Sequence, residues 1–150
     1  TYNNIGRHIS RIARTRIVSA ATPWALNPSV IDERNTLVAI SHGEGRIVVS
    51  EDMARKLFAN GQVFTQYVNE NGIPVMTEPD NPNGSAYAIE GLLSPDGHVL
   101  GKMGHNERSV GTGLNGSSDA LFKNVAYNPV SNPKDNSCMN LFRAGVCYFK

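Results

Sequence analysis

The sequence predicts an α/β or α+β fold with an incomplete sheet. Three observations predict it. Short β-type runs recur along the chain, separated by turns rich in Gly, Pro and Asn. Only residues 51–60 and 140–148 carry a helical signature. A complete doubly wound sheet needs a helix after most strands, so the shortage of helices points to part of a larger domain. The 150 residues suffice for one core, and residues 1–150 are taken as a single domain.

The elements follow in order. Residues 8–20 alternate apolar and basic side chains, among them Ile9, Arg11, Ile12, Arg14, Arg16 and Ile17. That fits a strand, with a short helix as the alternative. Residues 21–35 hold Pro23, Trp24 and Pro28 and read as loop. Thr36-Leu37-Val38-Ala39-Ile40 is a dense β run, and residues 46–49 resume as strand. Ser50 is a good N-cap, because its hydroxyl accepts an N–H that the first turn leaves unpaired. Glu51 and Asp52 follow where negative charge complements the helix dipole. This helix is expected to carry Met53, Leu57 and Phe58 on one face and to stop at Asn60-Gly61, a left-handed cap signal. Residues 62–69 read as strand, turned by Asn71-Gly72. Residues 87–93 and 98–103 form a hairpin around Ser94-Pro95-Asp96-Gly97. Residues 108–118 and 128–136 read as loops, and residues 140–148 as a short terminal helix.

Composition narrows the function classes. Hydrophobic residues make up 40% and charged residues 18%, with a formal net charge of +1, as in a folded soluble protein. There is no Lys/Arg block to argue for nucleic acid or an anionic membrane. No apolar run has the length of a membrane span, and the start of the sequence lacks the apolar core of a signal peptide. The expectation is a cytoplasmic protein without nucleic-acid or membrane partners. The sequence opens on Thr1 rather than Met, and is read as a piece of something longer. Cys138 and Cys147 read as thiols of a reducing compartment, with one disulfide between them as the alternative. Cys138 lacks the flanking glycines of a nucleophile elbow, and Cys147 is expected to pack within its helix.

Three constellations hold chemistry. In Gly104-His105-Asn106-Glu107-Arg108, the imidazole and the carboxylate stand two positions apart in an extended chain, so both can share one face. A carboxylate beside an imidazole fixes its tautomer and stabilises its protonated form, which is the base-and-orienter half of a nucleophile–His–acid triad. The plain alternative is an exposed turn with a chance His-x-Glu. Ser41-His42-Gly43-Glu44-Gly45 also follows a strand, and its glycines permit close approach of a ligand to the backbone. The alternative there is a bend between strands. Asn81-Pro82-Asn83-Gly84-Ser85 is a rigid turn full of amide donors and acceptors, or a plain surface loop. The set His42, Glu44, His105 and Glu107 would also suit a divalent metal. His8 and His98 read as surface residues. Arg7, Arg11, Arg14 and Arg16 form either a phosphate-seeking set or a solvated strand face.

Jointly, in this order, these motifs resemble one family. They are Ser41-His42-Gly43-Glu44-Gly45, Asn81-Pro82-Asn83-Gly84-Ser85, and the run from Ala88 through Gly104-His105-Asn106-Glu107-Arg108. They look like the glutaminase domain of phosphoribosylformylglycinamidine synthase, and Leu141-Phe142-Arg143-Ala144-Gly145-Val146-Cys147-Tyr148-Phe149 resembles its closing helix. The resemblance implies a class I glutamine amidotransferase fold, flavodoxin-like, of which this is the C-terminal portion. It implies a Cys–His–Glu triad with His105 as the catalytic histidine and Glu107 as the acid. It implies that Ser41 and His42 lie where the backbone holds glutamine, and that Asn81, Asn83, Gly84 and Ser85 lie near the pocket or an interface. It implies ammonia transfer to a synthetase portion that holds ATP and Mg2+, with no cofactor and no metal in this chain. The family's nucleophilic cysteine precedes the Ser-His-Gly-Glu-Gly segment, and residues 1–40 contain no cysteine. The expectation is therefore a chain that is inactive alone. The competing classes are a non-catalytic amidotransferase-like interaction module and a metal-dependent hydrolase.

Overall fold

The computed structural model describes residues 1–25, 36–106 and 140–150. Six strands form one sheet: β1 (Ile9–Ile17), β2 (Thr36–His42), β3 (Val63–Tyr67), β4 (Ile89–Leu93), β5 (Leu100–Lys102) and β6 (Gly104–His105). Their order is β5-β4-β3-β1-β2-β6, and all five neighbouring pairs are antiparallel. The architecture is thus mixed strand and helix. The parallel pairing of a flavodoxin-like sheet is not among the pairs formed by the described residues.

Position in the sheet explains burial. β3 lies inside the sheet, and all five of its residues are buried. β1 is also interior, and its alternating pattern buries Ile9, Ala13 and Thr15 while Ser10 and Arg11 face water. One face of the sheet carries Ile9, Ala13, Ile40, Tyr67 and Ala88, with Ile5 packed against them. A second cluster holds Ala25, Phe64 and Leu93, with Ile17, Trp24, Leu100 and Leu141 beside them.

Helix α1 (Glu51–Ala59) begins and ends as its sequence dictates. The Met53 N–H donates to Ser50 Oγ at 3.3 Å. At the other end Gly61, at φ +66°, lets its N–H reach Phe58 O and the Gln62 N–H reach Leu57 O. Those two bonds satisfy carbonyls the last turn leaves open. The expected apolar face is corrected: Met53 is exposed, Leu57 and Phe58 are half-buried, and Ala54 is the buried residue. Helix α2 (Asn140–Tyr148) lays Leu141, Ala144 and Gly145 inward; a Cβ at Gly145 would sit 2.8 Å from Trp24 Cζ3. Cys147 points the other way and is exposed, not packed, because the i, i+3, i+4 face is already spent on Trp24. Cys138 and the loops expected at residues 108–118 and 128–136 lie outside the described residues.

Residues 46–49 are not a strand, contrary to the β-type pattern of Arg46-Ile47-Val48-Val49. Their backbone groups pair with loops: Arg46 N–H to Thr1 O, Ile47 N–H to Ser85 Oγ, and Ile47 O from Ala86 N–H. The two expected hairpin turns are present, with positive φ at Gly72 and Gly97. Tyr87 and Ala88, at φ 54° and 56°, adopt the left-handed conformation just before β4, a backbone state costing about 1–3 kcal/mol for a non-glycine residue.

Candidate functional site

Two of the three sequence motifs meet on one side of the sheet. β2 ends at Ser41-His42, and its pairing with β1 sets Ile9 opposite His42. The chain then bends through Gly43 and Glu44 and is clamped by Asn3, which is buried. Asn3 Nδ2 donates to His42 O at 2.8 Å, and Asn3 Oδ1 accepts from the Gly45 N–H at 3.2 Å. A Cβ at Gly45 would lie 2.2 Å from His42 Cδ2, so the imidazole rests directly on the Gly45 backbone. Glu44 is exposed and takes no part in this packing.

The turn Asn81-Pro82-Asn83-Gly84-Ser85 closes over the same place, and Asn81, Asn83 and Ser85 are all buried. Asn81 Nδ2 donates to Ser85 O at 2.8 Å, and Asn81 Oδ1 accepts from the Ser85 N–H at 3.1 Å. Asn83 Oδ1 accepts from the Ser85 N–H and hydroxyl, while its Nδ2 faces Gly45 O (2.8 Å), His42 Nε2 (3.1 Å) and the Tyr67 hydroxyl (3.3 Å). Gly84, at φ +73°, sits so close to Asn4 that a Cβ would come within 2.7 Å of Asn4 Cγ. The loop is therefore structural to the His42 side of the sheet and not a plain surface turn.

His105 arrives by another route. β6 pairs with the far edge of β2, with His105 opposite Ala39 and Gly104 opposite Ile40. Side chains two apart share a face of a strand, so His105, Ala39 and Ser41 point to the same side. Ser41 Oγ is 3.1 Å from His8 Nε2. β6 is held at its other flank by Glu90, which is fully buried. Glu90 Oε1 accepts from the Gly104 N–H at 2.5 Å and lies 3.7 Å from Lys102 Nζ; Oε2 accepts from the Thr65 hydroxyl. Lys102 Nζ also donates to Asn106 Oδ1 at 2.5 Å. The glycine at 104 is required, since a Cβ there would lie 2.5 Å from Val38 Cγ2 and 2.8 Å from Glu90 Oε1.

The electrostatics tie the two histidine segments together. Burial holds His42 below the ordinary histidine value, the cationic forms of His8 and His105 push the same way, and Glu90 opposes them. Burial and then the Glu90 charge raise the Tyr67 phenol far above its usual range. Tyr67 is thus a neutral hydroxyl.

The remaining sequence expectations divide cleanly. Glu107, expected beside His105, lies outside the described residues. Among the described residues no group of three His, Cys, Asp or Glu side chains is placed to hold a metal ion. Arg16 is tied to Gln66 Oε1 at 3.1 Å and so is not part of a free basic patch. His98 is half-buried and exposed enough to stack against Tyr148 and Phe149 at the C-terminus. The sequence reading missed Asn3, Thr65, Tyr67, Glu90 and Lys102. Glu90 had a signal, as the one charge inside the apolar run Ala88-Ile89-Glu90-Gly91-Leu92-Leu93. Charges are almost never fully buried without a partner, so a second polar group was implied.

Known proteins resemble this chain in sequence and in fold. A family model described as a CobB/CobQ-like glutamine amidotransferase domain matches residues 1–149. The phosphoribosylformylglycinamidine synthase subunit PurQ of Salinibacter ruber is 34% identical over 125 residues, covering 83% of this chain and 52% of that protein. The PurQ subunit of Symbiobacterium thermophilum is 36% identical over 119 residues, covering 78% of this chain and 48% of that protein. The chain thus spans about half the length of these curated relatives. The solved structure of PurLQS from Thermotoga maritima superposes with a TM-score of 0.61 at 21% identity, covering 99% of this chain and 51% of that one. At that identity the likeness is one of fold. No described helix is long and apolar enough to cross a membrane.

Proposed function

We propose, from the premise that this chain belongs to the CobB/CobQ-like glutamine amidotransferase domain family, that it forms the His-bearing part of a glutaminase. That glutaminase feeds ammonia to the ATP-dependent conversion of formylglycinamide ribonucleotide to formylglycinamidine ribonucleotide. The observation that supports this reading is the β2–β6 pairing, which sets His105 and Ser41 on one face of neighbouring strands, beside a loop able to offer backbone groups to a ligand.

In this reading His105 is the base and acid. It takes the proton of a cysteine thiol, and the thiolate attacks the glutamine carboxamide to form a tetrahedral intermediate and then a thioester. Protonated His105 gives its proton to the departing ammonia and then activates the water that releases glutamate. Glu107 stabilises the imidazolium. Ser41 and His42 line the place where glutamine is held. Residues 1–40 carry no cysteine, so the nucleophile comes from a segment outside these 150 residues, as does the remainder of a flavodoxin-like sheet. ATP and Mg2+ belong to the synthetase portion, which is the partner of this domain in the cytoplasm.

The test is direct. The purified chain is expected to release no glutamate from glutamine, and turnover would refute the missing-nucleophile reading. In a complete enzyme containing this chain, His105→Ala is expected to abolish glutamine-driven synthesis while synthesis from free ammonia continues. Loss of both would make His105 structural.

A further inference from the structure

We infer that Asn83 fixes the His42 imidazole as its neutral Nδ1–H tautomer, making Asn83 a positioning residue and His42 a hydrogen-bond donor to an acceptor oxygen in the site rather than a general base. The orientation of the Asn83 amide settles the proton. Its Oδ1 accepts from the Ser85 backbone N–H at 3.1 Å and from the Ser85 hydroxyl at 2.8 Å. A backbone N–H can only donate, so that atom is the oxygen. The other end is then the NH2 group. It gives one hydrogen to Gly45 O at 2.8 Å and faces His42 Nε2 at 3.1 Å. An Nε2–H pointed at an NH2 at that distance would be repulsive. Nε2 must present its lone pair, and the proton of the neutral ring sits on Nδ1.

The ring is not free to turn and exchange its nitrogens. Its Cδ2 edge lies against the Gly45 backbone, where even a Cβ would sit 2.2 Å away. His42 O is held at the same time by Asn3 Nδ2 at 2.8 Å. Double protonation is opposed by the same Asn83 amide. The surrounding ionisable groups are His8 and His105, which disfavour an imidazolium, Glu90, which favours it, and the neutral Tyr67 hydroxyl.

What remains is a donor without a receiver. The His42 Nδ1 atom is buried and has no hydrogen-bond partner among the described residues. Buried polar groups in folded proteins almost always have one, so an unmet N–H at the end of β2, on the face that carries Ile9 and Tyr67 and opposite the face of Ser41 and His105, marks the seat of an acceptor. That the acceptor is an oxygen of glutamine rests on the glutaminase reading; the tautomer does not.

Long-range proton–nitrogen correlation spectra of the 15N-labelled chain test the tautomer. The expected result is a protonated Nδ1 and a bare Nε2 for His42 at neutral pH. Asn83→Asp replaces the amide donor by a carboxylate, so the proton should move to Nε2 and the His42 titration midpoint should rise above that of the wild type. A wild-type His42 carrying its proton on Nε2 overturns the inference, and that spectrum stands even if the variant fails to fold. In a complete enzyme containing this chain, Asn83→Asp should raise KM for glutamine by about two- to tenfold, the factor that one lost hydrogen bond supplies. A fall in kcat with KM unchanged would instead place His42 in the chemical step and overturn its role as a donor. Absence of glutaminase activity in the unmodified complete enzyme would sink the glutaminase reading and leave the spectral result intact.

Discussion

The segments around His42 and His105 carry the same sequence spacing, a histidine two residues before a glutamate, yet the fold anchors them by opposite means. His42 is gripped through its side chain as well as its backbone: Asn83 meets its Nε2 and Gly45 backs its ring, while Asn3 takes its main-chain carbonyl. His105 is positioned through its backbone, because Glu90 binds the N–H of the preceding Gly104 and β2 pairs with β6. A ring held at one nitrogen and backed by main chain suits a fixed contact with a ligand. A histidine whose strand is fixed, while its ring is directed by other partners, suits a residue that must carry protons. Equal motifs in sequence therefore do not imply equal roles, and the identity of the anchor decides between them.

The strongest way to break this contrast is to remove the backbone anchor. Glu90→Ala would orphan the Gly104 N–H and the Thr65 hydroxyl and leave Lys102 without its carboxylate in a largely buried position. Breaking such a pair by deleting one partner costs about 3–5 kcal/mol, read as a shift in the denaturant midpoint. Glu90→Gln, which keeps an acceptor, should lose less. A loss under about 1 kcal/mol for Glu90→Ala would mean that β6 is held by strand pairing alone.

Removing the side-chain anchor comes next. Asn83→Ala strands Gly45 O, the Ser85 hydroxyl and His42 Nε2 in buried surroundings, while the Ser85 N–H keeps Asn81 Oδ1. Leaving buried groups unpaired costs about 1–3 kcal/mol each before relaxation, and some can find other partners, so a net loss of about 2–3 kcal/mol is expected in the same unfolding assay. The loss should be accompanied by mobility in residues 42–45, seen as faster amide hydrogen exchange. Unchanged exchange there would show that Asn3 suffices to hold the turn.

How much of this was legible depends on whether the signal was local. The N-cap at Ser50 and the Gly61 stop are local, and helix α1 lies where they placed it. β2 was legible from its β-branched run, and the hairpin joining β4 to β5 from Pro95-Asp96-Gly97. Residues 46–49 were misread because a β-type pattern records burial on alternate sides, not the presence of a neighbouring strand; here the partners are loop atoms of Thr1 and Ser85. The two histidines were legible as candidates because their spacing is in the sequence. Their anchors were not. Thr65, Glu90 and Lys102 come from three strands, and their meeting depends on the registers of β3 with β4 and β4 with β5, including a register shift at Thr65. Glu107 lies outside the described residues, so the pair that motivated the catalytic reading is only half placed.

A third, smaller perturbation sharpens the contrast by adding atoms rather than removing them. Gly104→Ala would push a methyl against Val38 and the Glu90 carboxylate. Overpacking of this kind costs about 1–3 kcal/mol, and the lower half of that range is expected because β6 is only two residues long. A shift of β6 to admit the methyl would carry His105 with it, so in a complete enzyme containing this chain the glutamine-driven activity should fall further than stability does. Equal loss in both would deny that Gly104 places His105.

The smallest expected effect is a change in how stability depends on pH, and it isolates the His42 side. Burial, then His8 and His105, hold the folded His42 below 6.5, while the unfolded chain titrates at that ordinary value. Well above 6.5 neither state carries the proton, and His42 adds no slope. As pH falls from 6.5 toward the lower folded value, the unfolded chain binds the proton first, so stability declines across that window and levels off once both states are protonated. His42→Gln leaves a neutral side chain whose carbonyl can accept from Asn83, which removes the titration without removing the contact. Midpoints measured from neutral to mildly acidic pH should therefore fall less steeply in His42→Gln than in the wild type, with the two curves parallel well above 6.5. Curves parallel throughout would mean that the imidazole accepts a second proton as readily in the folded chain as in the unfolded one, and that the grip of Asn83 on Nε2 is too weak to fix the ring.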